Sequence, residues 1–173
     1  INLAASLAIA EQRVLIIDAD PAGAVSSGLG LEEGAIKAGL FEFFSGSVRF
    51  EETIHQLPHV NLDLIPANVF SSEHETRLNE LSKNRIRLKR QLDGMIEADR
   101  LPYDYVIIDT PPVLNDLTMG SLMAATSVLI PLQCGYFALN AIGRLMQLIE
   151  RVRKSANPDL QVEGIMLNLY ERG

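Results

Sequence analysis

The sequence predicts a three-layer α/β domain built on a doubly wound, mostly parallel sheet, and three observations carry that prediction. Short runs of large aliphatic residues recur along the chain, as in Val14-Leu15-Ile16-Ile17 and Tyr105-Val106-Ile107-Ile108. Each is too short for a helix and too apolar for a half-solvated strand, so each reads as a strand buried on both faces. Stretches of helical period separate these runs, and strands alternating with helices imply parallel βαβ units. Every run also ends on a polar residue, and in open α/β sheets the carboxyl ends of the strands form the ligand-binding edge.

In chain order, residues 1–11 carry Leu3, Leu7 and Ala10 at helical spacing among alanines. No capping residue stands ahead of Ile1, so the chain is expected to start inside a helix. The strand 14–17 then delivers Asp18 and Asp20, with Pro21 unable to continue a ladder and Gly23 permitting a sharp turn. Residues 21–34 hold four glycines and two serines and read as a loop that approaches something closely. Residues 39–44 form a short aromatic helical turn and 50–57 a weakly helical stretch. The segment 61–66 alternates more than the other strands, which places it nearer a sheet edge.

From residue 73 to residue 98 the pattern is helical, with Leu78, Leu81, Leu88, Leu92, Met95 and Ile96 as its apolar members. The strand 105–108 ends in Asp109, and the strand from Ser127 runs through Pro131 to Gln133. Between 136 and 154, Ala138, Ile142, Leu145, Ile149 and Val152 make one apolar stripe opposed by Arg144, Gln147, Arg151 and Lys154. Asn157-Pro158-Asp159 stops that helix, and a last strand, 165–167, ends in Asn168. Acids and amides also terminate strands without further purpose, and that plain alternative stays open for any single strand end.

At 173 residues, 47% hydrophobic and 21% charged, the chain fits one globular domain with a sizeable core, neither disordered nor fibrous. No apolar run approaches the roughly 20 residues that span a bilayer, so no membrane partner and a cytoplasmic location are expected. The single cysteine, Cys134, makes no internal disulfide and no metal cluster. His55, His59 and His74 lack ligand spacing and read as surface or packing residues. A net charge of −7 argues against a uniformly basic nucleic-acid coat. Nine of the fifteen basic residues nonetheless fall in two stretches, Lys83, Arg85, Arg87, Lys89 and Arg90, then Arg144, Arg151, Arg153 and Lys154. Solvated helix faces are the plain alternative to a binding patch.

Five motifs in order resemble the ParA/Soj partition ATPases, in the deviant-Walker group of P-loop proteins that also holds MinD. They are Asn2-Leu3-Ala4-Ala5; residues 14–21 continuing to Ser27-Gly28-Leu29-Gly30; Asp104 to Pro112; residues 128–139; and Glu163-Gly164-Ile165-Met166-Leu167. The resemblance implies ATP and Mg²⁺ as cofactors and a role for each strand-end residue. Asp20 matches the position that orients the attacking water, because water is a poor nucleophile unless held in line. Asp18 and Asp109 match acids that hold Mg²⁺ through oxygen ligands, Asp109 being the Walker B acid. Asn168 matches a position near the adenine, where an amide both donates and accepts. The resemblance further implies an ATP-dependent homodimer, non-specific binding to nucleoid DNA, and a centromere-binding protein that stimulates hydrolysis.

Three departures from the family pattern stand out. Ala22 and Ala24 occupy places where relatives carry amides, and Gly135 stands where many have Glu. The glycine-rich phosphate loop with its two lysines, expected just ahead of Asn2, is not in this sequence, nor are the family's last helices. The chain is therefore expected to be one ATPase domain, residues 1–173, cut at both ends and internal to a longer protein. MinD-like or cargo-positioning ATPases and bacterial tyrosine autokinases are the enzymatic rivals. The autokinase needs a tyrosine-rich tail, and the four tyrosines here are scattered. A degenerate, non-enzymatic adaptor is the rival from another class, disfavoured by the joint presence of Asp18, Asp20 and Asp109.

Overall fold

The structure, a computed structural model, describes residues 1–58, 61–133 and 138–168. Strand β1 (Val14–Asp18) is its centre: residues 14–18 are all buried. It pairs in parallel with β3 (Leu62–Ile65) on one side and with β4 (Tyr105–Asp109) on the other, and β2 (His55–Gln56) adds antiparallel to β3. The four-stranded order is thus β2-β3-β1-β4.

Successive side chains of β1 point to opposite faces, and the two faces build two different cores. Leu15 and Ile17 join Ile65 beneath α3 (Leu40–Ser45), α4 (Ser72–Leu81) and α5 (Arg87–Glu97), packed on Phe43, Phe50, Leu78, Leu88 and Met95. Val14 and Ile16 join Leu62 and Leu64 against α1 (Asn2–Ile9) and Val25 of α2 (Ala24–Gly28). Helices on both faces of a parallel sheet make the three layers the sequence predicts. Each fully buried aliphatic of β1 contributes about 1.5–3 kcal/mol, so a strand of four of them anchors the domain.

A second sheet holds β5 (Ser127–Gln133) and β6 (Gln161–Asn168), parallel, with a register shift between Val128 and Leu129. It packs on α6 (Asp116–Ala124) and α7 (Ala138–Ser155) through Leu122, Met123, Ile149, Val152 and Leu160. Among the described residues, the edge of β4 away from β1 and the edge of β5 away from β6 have no strand partner. Tyr105 and Leu129, one on each strand, are exposed.

Four expectations are corrected. The strand at 62–65 does lie nearer an edge than β1, with only the two-residue β2 outside it, but it is not less buried: its residues are mostly buried. The half-polar look of this strand comes from Asp63, whose carboxylate accepts the Tyr103 hydroxyl at 2.6 Å and so tolerates an inner position. The stretch 50–57 is a 3₁₀ turn (Phe50–Thr53) followed by β2, not a helix. The helical stretch 73–98 is two helices, broken between Leu81 and Arg87, where the Ser82 hydroxyl turns back to the Asn79 carbonyl at 2.8 Å. The loop 21–34 contains the short helix α2.

Helix α6 has no counterpart in the sequence reading. Its N-cap is Asn115, whose Oδ1 accepts the Thr118 N–H at 3.1 Å, the feature that would have revealed it. His55 bonds the Ala38 carbonyl at 2.7 Å and His74 stacks on Phe41, both packing roles as expected, while His59 and Cys134 lie outside the described residues. No helix among the described residues is long and apolar enough to cross a membrane.

Candidate functional site

The parallel register of β1 and β4 sets Asp18 directly opposite Asp109 at the carboxyl edge of the sheet. The Ala19 N–H donates to the Asp109 carbonyl at 2.8 Å, carrying the pairing one residue past β1. The chain then turns at once. The Asp20 N–H donates to Asp18 Oδ1 at 3.1 Å, the Ala22 N–H to Asp20 Oδ1 at 3.0 Å, and the Gly23 N–H to the Asp20 carbonyl at 2.9 Å. Gly23 adopts φ +64°, a left-handed conformation that a side chain would strain. Strand register and ordinary turn chemistry thus bring three carboxylates to one sheet edge, Asp18 and Asp20 from one turn and Asp109 from a strand 91 residues after Asp18.

Their surroundings differ. Asp18 is fully buried, and its Oδ2 is a buried oxygen with no hydrogen-bond partner. Its carboxyl is pushed up to about 7, chiefly by burial, with the Asp20 N–H opposing and the charge of Asp109 adding to the rise. Asp109 is more open to solvent, and its carboxyl is also raised, first by the part of it that is buried and further by Asp20. Asp20 is partly buried. An orphaned buried carboxylate oxygen facing a second acid is destabilising in an isolated molecule and favourable beside a cation.

The donor set fits Mg²⁺, a hard cation that keeps several waters and takes only one or two protein carboxylates. Among the described residues no group of three or more acid, histidine or cysteine side chains forms a metal cage by itself. Two carboxylates at the edge, with the remaining ligands from water and phosphate, match that chemistry.

Beside this edge, a cleft of about 280 Å³ lies between α4 and the loops leaving β1 and β4. Residues 20–22 form one side, Glu75 and Asn79 of α4 a second, and residues 111–113 with Asn115 a third. Glu75, Asn79 and Asn115 had not been singled out from the sequence. Their signal is only local: Glu75 and Asn79 lie on the helix capped by Ser71, and Asn115 is itself the cap of α6.

Asn168 is placed differently. It ends β6 opposite Gln133, in the sheet that is not hydrogen-bonded to β1 and β4. Backbone pairing therefore brings Asp18, Asp20 and Asp109 together and leaves Asn168 outside that group. Gly135 lies outside the described residues.

With this geometry, comparison with known proteins is informative. The family model described as AAA domain matches residues 1–162. The chromosome partitioning protein ParA of Caulobacter vibrioides (strain NA1000 / CB15N) is 41% identical over 172 residues, covering 99% of this chain and 64% of that protein. The sporulation initiation inhibitor protein Soj of Bacillus subtilis (strain 168) is 37% identical over 171 residues, covering 99% of this chain and 66% of that protein. The structure of cobyrinic acid a,c-diamide synthase from Mycobacterium smegmatis with bound ATP analog and magnesium superposes with a TM-score of 0.84 at 30% identity, over 97% of this chain and 67% of that one. The chain thus spans about two thirds of the length of these relatives. With the model matching nearly its whole length, the chain belongs to the AAA-domain family, and it is similar over that length to the ParA and Soj proteins.

Proposed function

We propose that the intact protein is a Mg²⁺-dependent ATPase that segregates chromosomal or plasmid DNA. The observation that carries this reading is the pairing of Asp18 with Asp109 in register, with a buried, unpartnered Asp18 oxygen at the sheet edge and Asp20 in the adjoining turn. Bound Mg²⁺ would neutralise charge on the phosphates. Asp18 and Asp109 hold the cation, Asp20 accepts a hydrogen bond from the attacking water and aims it, and Asn168 contacts the adenine.

The phosphates themselves need a cradle of backbone N–H groups and a lysine. The unpaired edges of β4 and β5 support a further strand between them, one that brings a phosphate loop to the Asp18–Asp109 edge. Nucleotide then joins two copies into a homodimer, and a centromere-binding protein accelerates hydrolysis at the nucleoid.

The test is nucleotide affinity of the intact protein with and without Mg²⁺. Asp109→Ala should bring ATP affinity in Mg²⁺ down to the Mg²⁺-free level, by about tenfold or more, since each tenfold is 1.36 kcal/mol. An Asp109→Ala protein with wild-type Mg²⁺ dependence would reduce Asp109 to a strand terminator.

For DNA, Arg144, Arg151 and Lys154 on α7 are exposed and take part in no ion pair among the described residues. Arg153 belongs elsewhere: it bonds the Leu160 carbonyl at 2.7 Å and Glu150 at 2.7 Å. In the 83–90 stretch, Arg85 pairs with Asp116, Lys89 with Asp93, and Arg87 lies over Phe43 while donating to two backbone carbonyls. Lys83 and Arg90 of that stretch are exposed and in no ion pair among the described residues, so α7, with three such cations on one helix, is the better phosphate contact. Replacing Arg144, Arg151 and Lys154 by alanine should lower the salt dependence of DNA binding by about 0.9 unit of log–log slope per lost contact. An unchanged slope would return this face of α7 to plain solvation.

A further inference from the structure

The loop that leaves Asp109 is held at its far end by a bond that helix α6 does not need for itself. Thr118 is 4% exposed and sits in the first turn of α6, where Asn115 Oδ1 accepts its N–H. A buried helical hydroxyl ordinarily turns back to the carbonyl four residues earlier, as the Ser121 hydroxyl does to Leu117 at 2.8 Å. The Thr118 hydroxyl instead reaches out of the helix and donates to the Val113 carbonyl at 2.7 Å, with Asn115 Oδ1 more distant at 3.3 Å. The Asn115 N–H donates to the same Val113 carbonyl at 3.0 Å. Val113 is 55% exposed, so water can serve its carbonyl, whereas a buried hydroxyl depends on an acceptor within the protein. The bond therefore ties the loop to the helix more than it satisfies the loop.

What joins the two ends of this loop carries that constraint to the acids. At one end the Asp109 carbonyl accepts the Ala19 N–H at 2.8 Å, and at the other Val113 is tied to Thr118. Between them stand Thr110, Pro111 and Pro112. Each proline fixes its own φ at about −65° and holds the residue before it away from helical conformations. Such a segment is a stiff strut, and a shift at Val113 passes along it instead of being absorbed. Residues 111–113 of the strut form one side of the cleft, and Asp20 lies on another.

We propose that Thr118 is a positioning residue for hydrolysis, whose hydroxyl latches the strut and so sets the wall of the cleft in which Asp20 aims the attacking water. That use of the latch rests on the roles assigned to Asp20 and Asp109 above; the latch itself does not. Catalysis by positioning is sensitive to small displacements of the groups around the reacting atoms. Because the latch bears on the cleft wall while the cation is held at the strand ends, its loss falls on kcat and not on KM for ATP.

The test compares three variants of the intact protein. Thr118→Val keeps the shape without the donor, Thr118→Ser keeps the donor, and Ser121→Ala removes a similarly buried hydroxyl whose bond stays within α6. Amide hydrogen exchange at Asn115 without nucleotide reports the latch, and steady-state ATP hydrolysis in Mg²⁺ reports its use. Thr118→Val is expected to speed exchange at Asn115 and to lower kcat, each by about three- to tenfold, the worth of one net hydrogen bond, with KM unchanged. Thr118→Ser should match the wild type in both. Ser121→Ala should lower the thermal midpoint at least as much as Thr118→Val and leave exchange at Asn115 and kcat as they were. Wild-type exchange or wild-type kcat in Thr118→Val, failure of serine to restore them, or an equal loss of kcat in Ser121→Ala would each overturn the proposal. If the wild type did not hydrolyse ATP while Thr118→Val alone sped exchange at Asn115, the hydrolytic reading would fall and the latch would stand.

Discussion

Asp20→Ala is expected to slow ATP hydrolysis by the intact protein about 10²- to 10⁴-fold, the range associated with losing a positioned proton acceptor, while ATP affinity changes little. The two effects separate because Asp20 is in the turn and not on the strand. The backbone bond from the Gly23 N–H to the Asp20 carbonyl survives the substitution, as does the pairing of Ala19 with Asp109, so the turn keeps its main-chain frame. Only the Ala22 N–H loses its side-chain acceptor, and it faces an open cleft where water replaces it. Asp18 and Asp109 stay in register to hold the cation. Single-turnover phosphate release together with calorimetric ATP binding makes the comparison. Turnover within a few-fold of wild type would remove Asp20 from the reaction, and a parallel collapse of affinity would make it a binding residue instead.

The second large effect concerns Asp18 and pH. Its carboxyl is raised from an ordinary 3.8 to about 7, mainly by burial. An acid whose pKa is higher in the folded than in the unfolded state holds its proton more tightly when folded. Its stabilising contribution is complete below the unfolded pKa and disappears as pH rises through the folded one. Between pH 4 and pH 8 the protein without Mg²⁺ should therefore lose stability from this group, by about 4 kcal/mol at 1.36 kcal/mol per unit. Asp109, raised in the same direction, adds to the slope.

Asp18→Asn keeps the shape and has no charge to bury, so it should be more stable than wild type at pH 8 and similar at pH 4. Urea unfolding at the two pH values, with chelator present, tests this. Mg²⁺ with nucleotide should restore the wild-type protein at pH 8 and leave Asp18→Asn unchanged. Equal pH dependence in the two proteins would mean that the Asp18 carboxylate is comfortably solvated and holds no cation.

Much of the site was legible because it is built from local grammar. Four adjacent aliphatics at 14–17 have no stable place except between two neighbouring strands, and Pro21 with Gly23 forces the chain off the sheet just after Asp18 and Asp20. The same grammar at 105–109 put Asp109 at a strand end. What local grammar could not supply were partners far away in the chain. Asp63 makes its strand look half exposed, and only the Tyr103 hydroxyl, forty residues on, explains how it sits inside. Glu75 and Asn79 are ordinary surface residues of a helix until that helix docks across from Asp20.

The sequence by itself determined the fold class, the central strand and the three acids, since a run of buried aliphatics leaves few alternatives and a strand can end in only one direction. Tertiary structure alone decided that Asp18 and Asp109 face each other, because register between strands 91 residues apart is set by the two cores packed on either face of β1. It also decided that Asp18 is fully buried with one oxygen unpartnered, and that β5 and β6 pair apart from the acids, leaving Asn168 in another sheet. Burial and pairing are properties of neighbours, and neighbours across space are not written into any stretch of chain shorter than the whole.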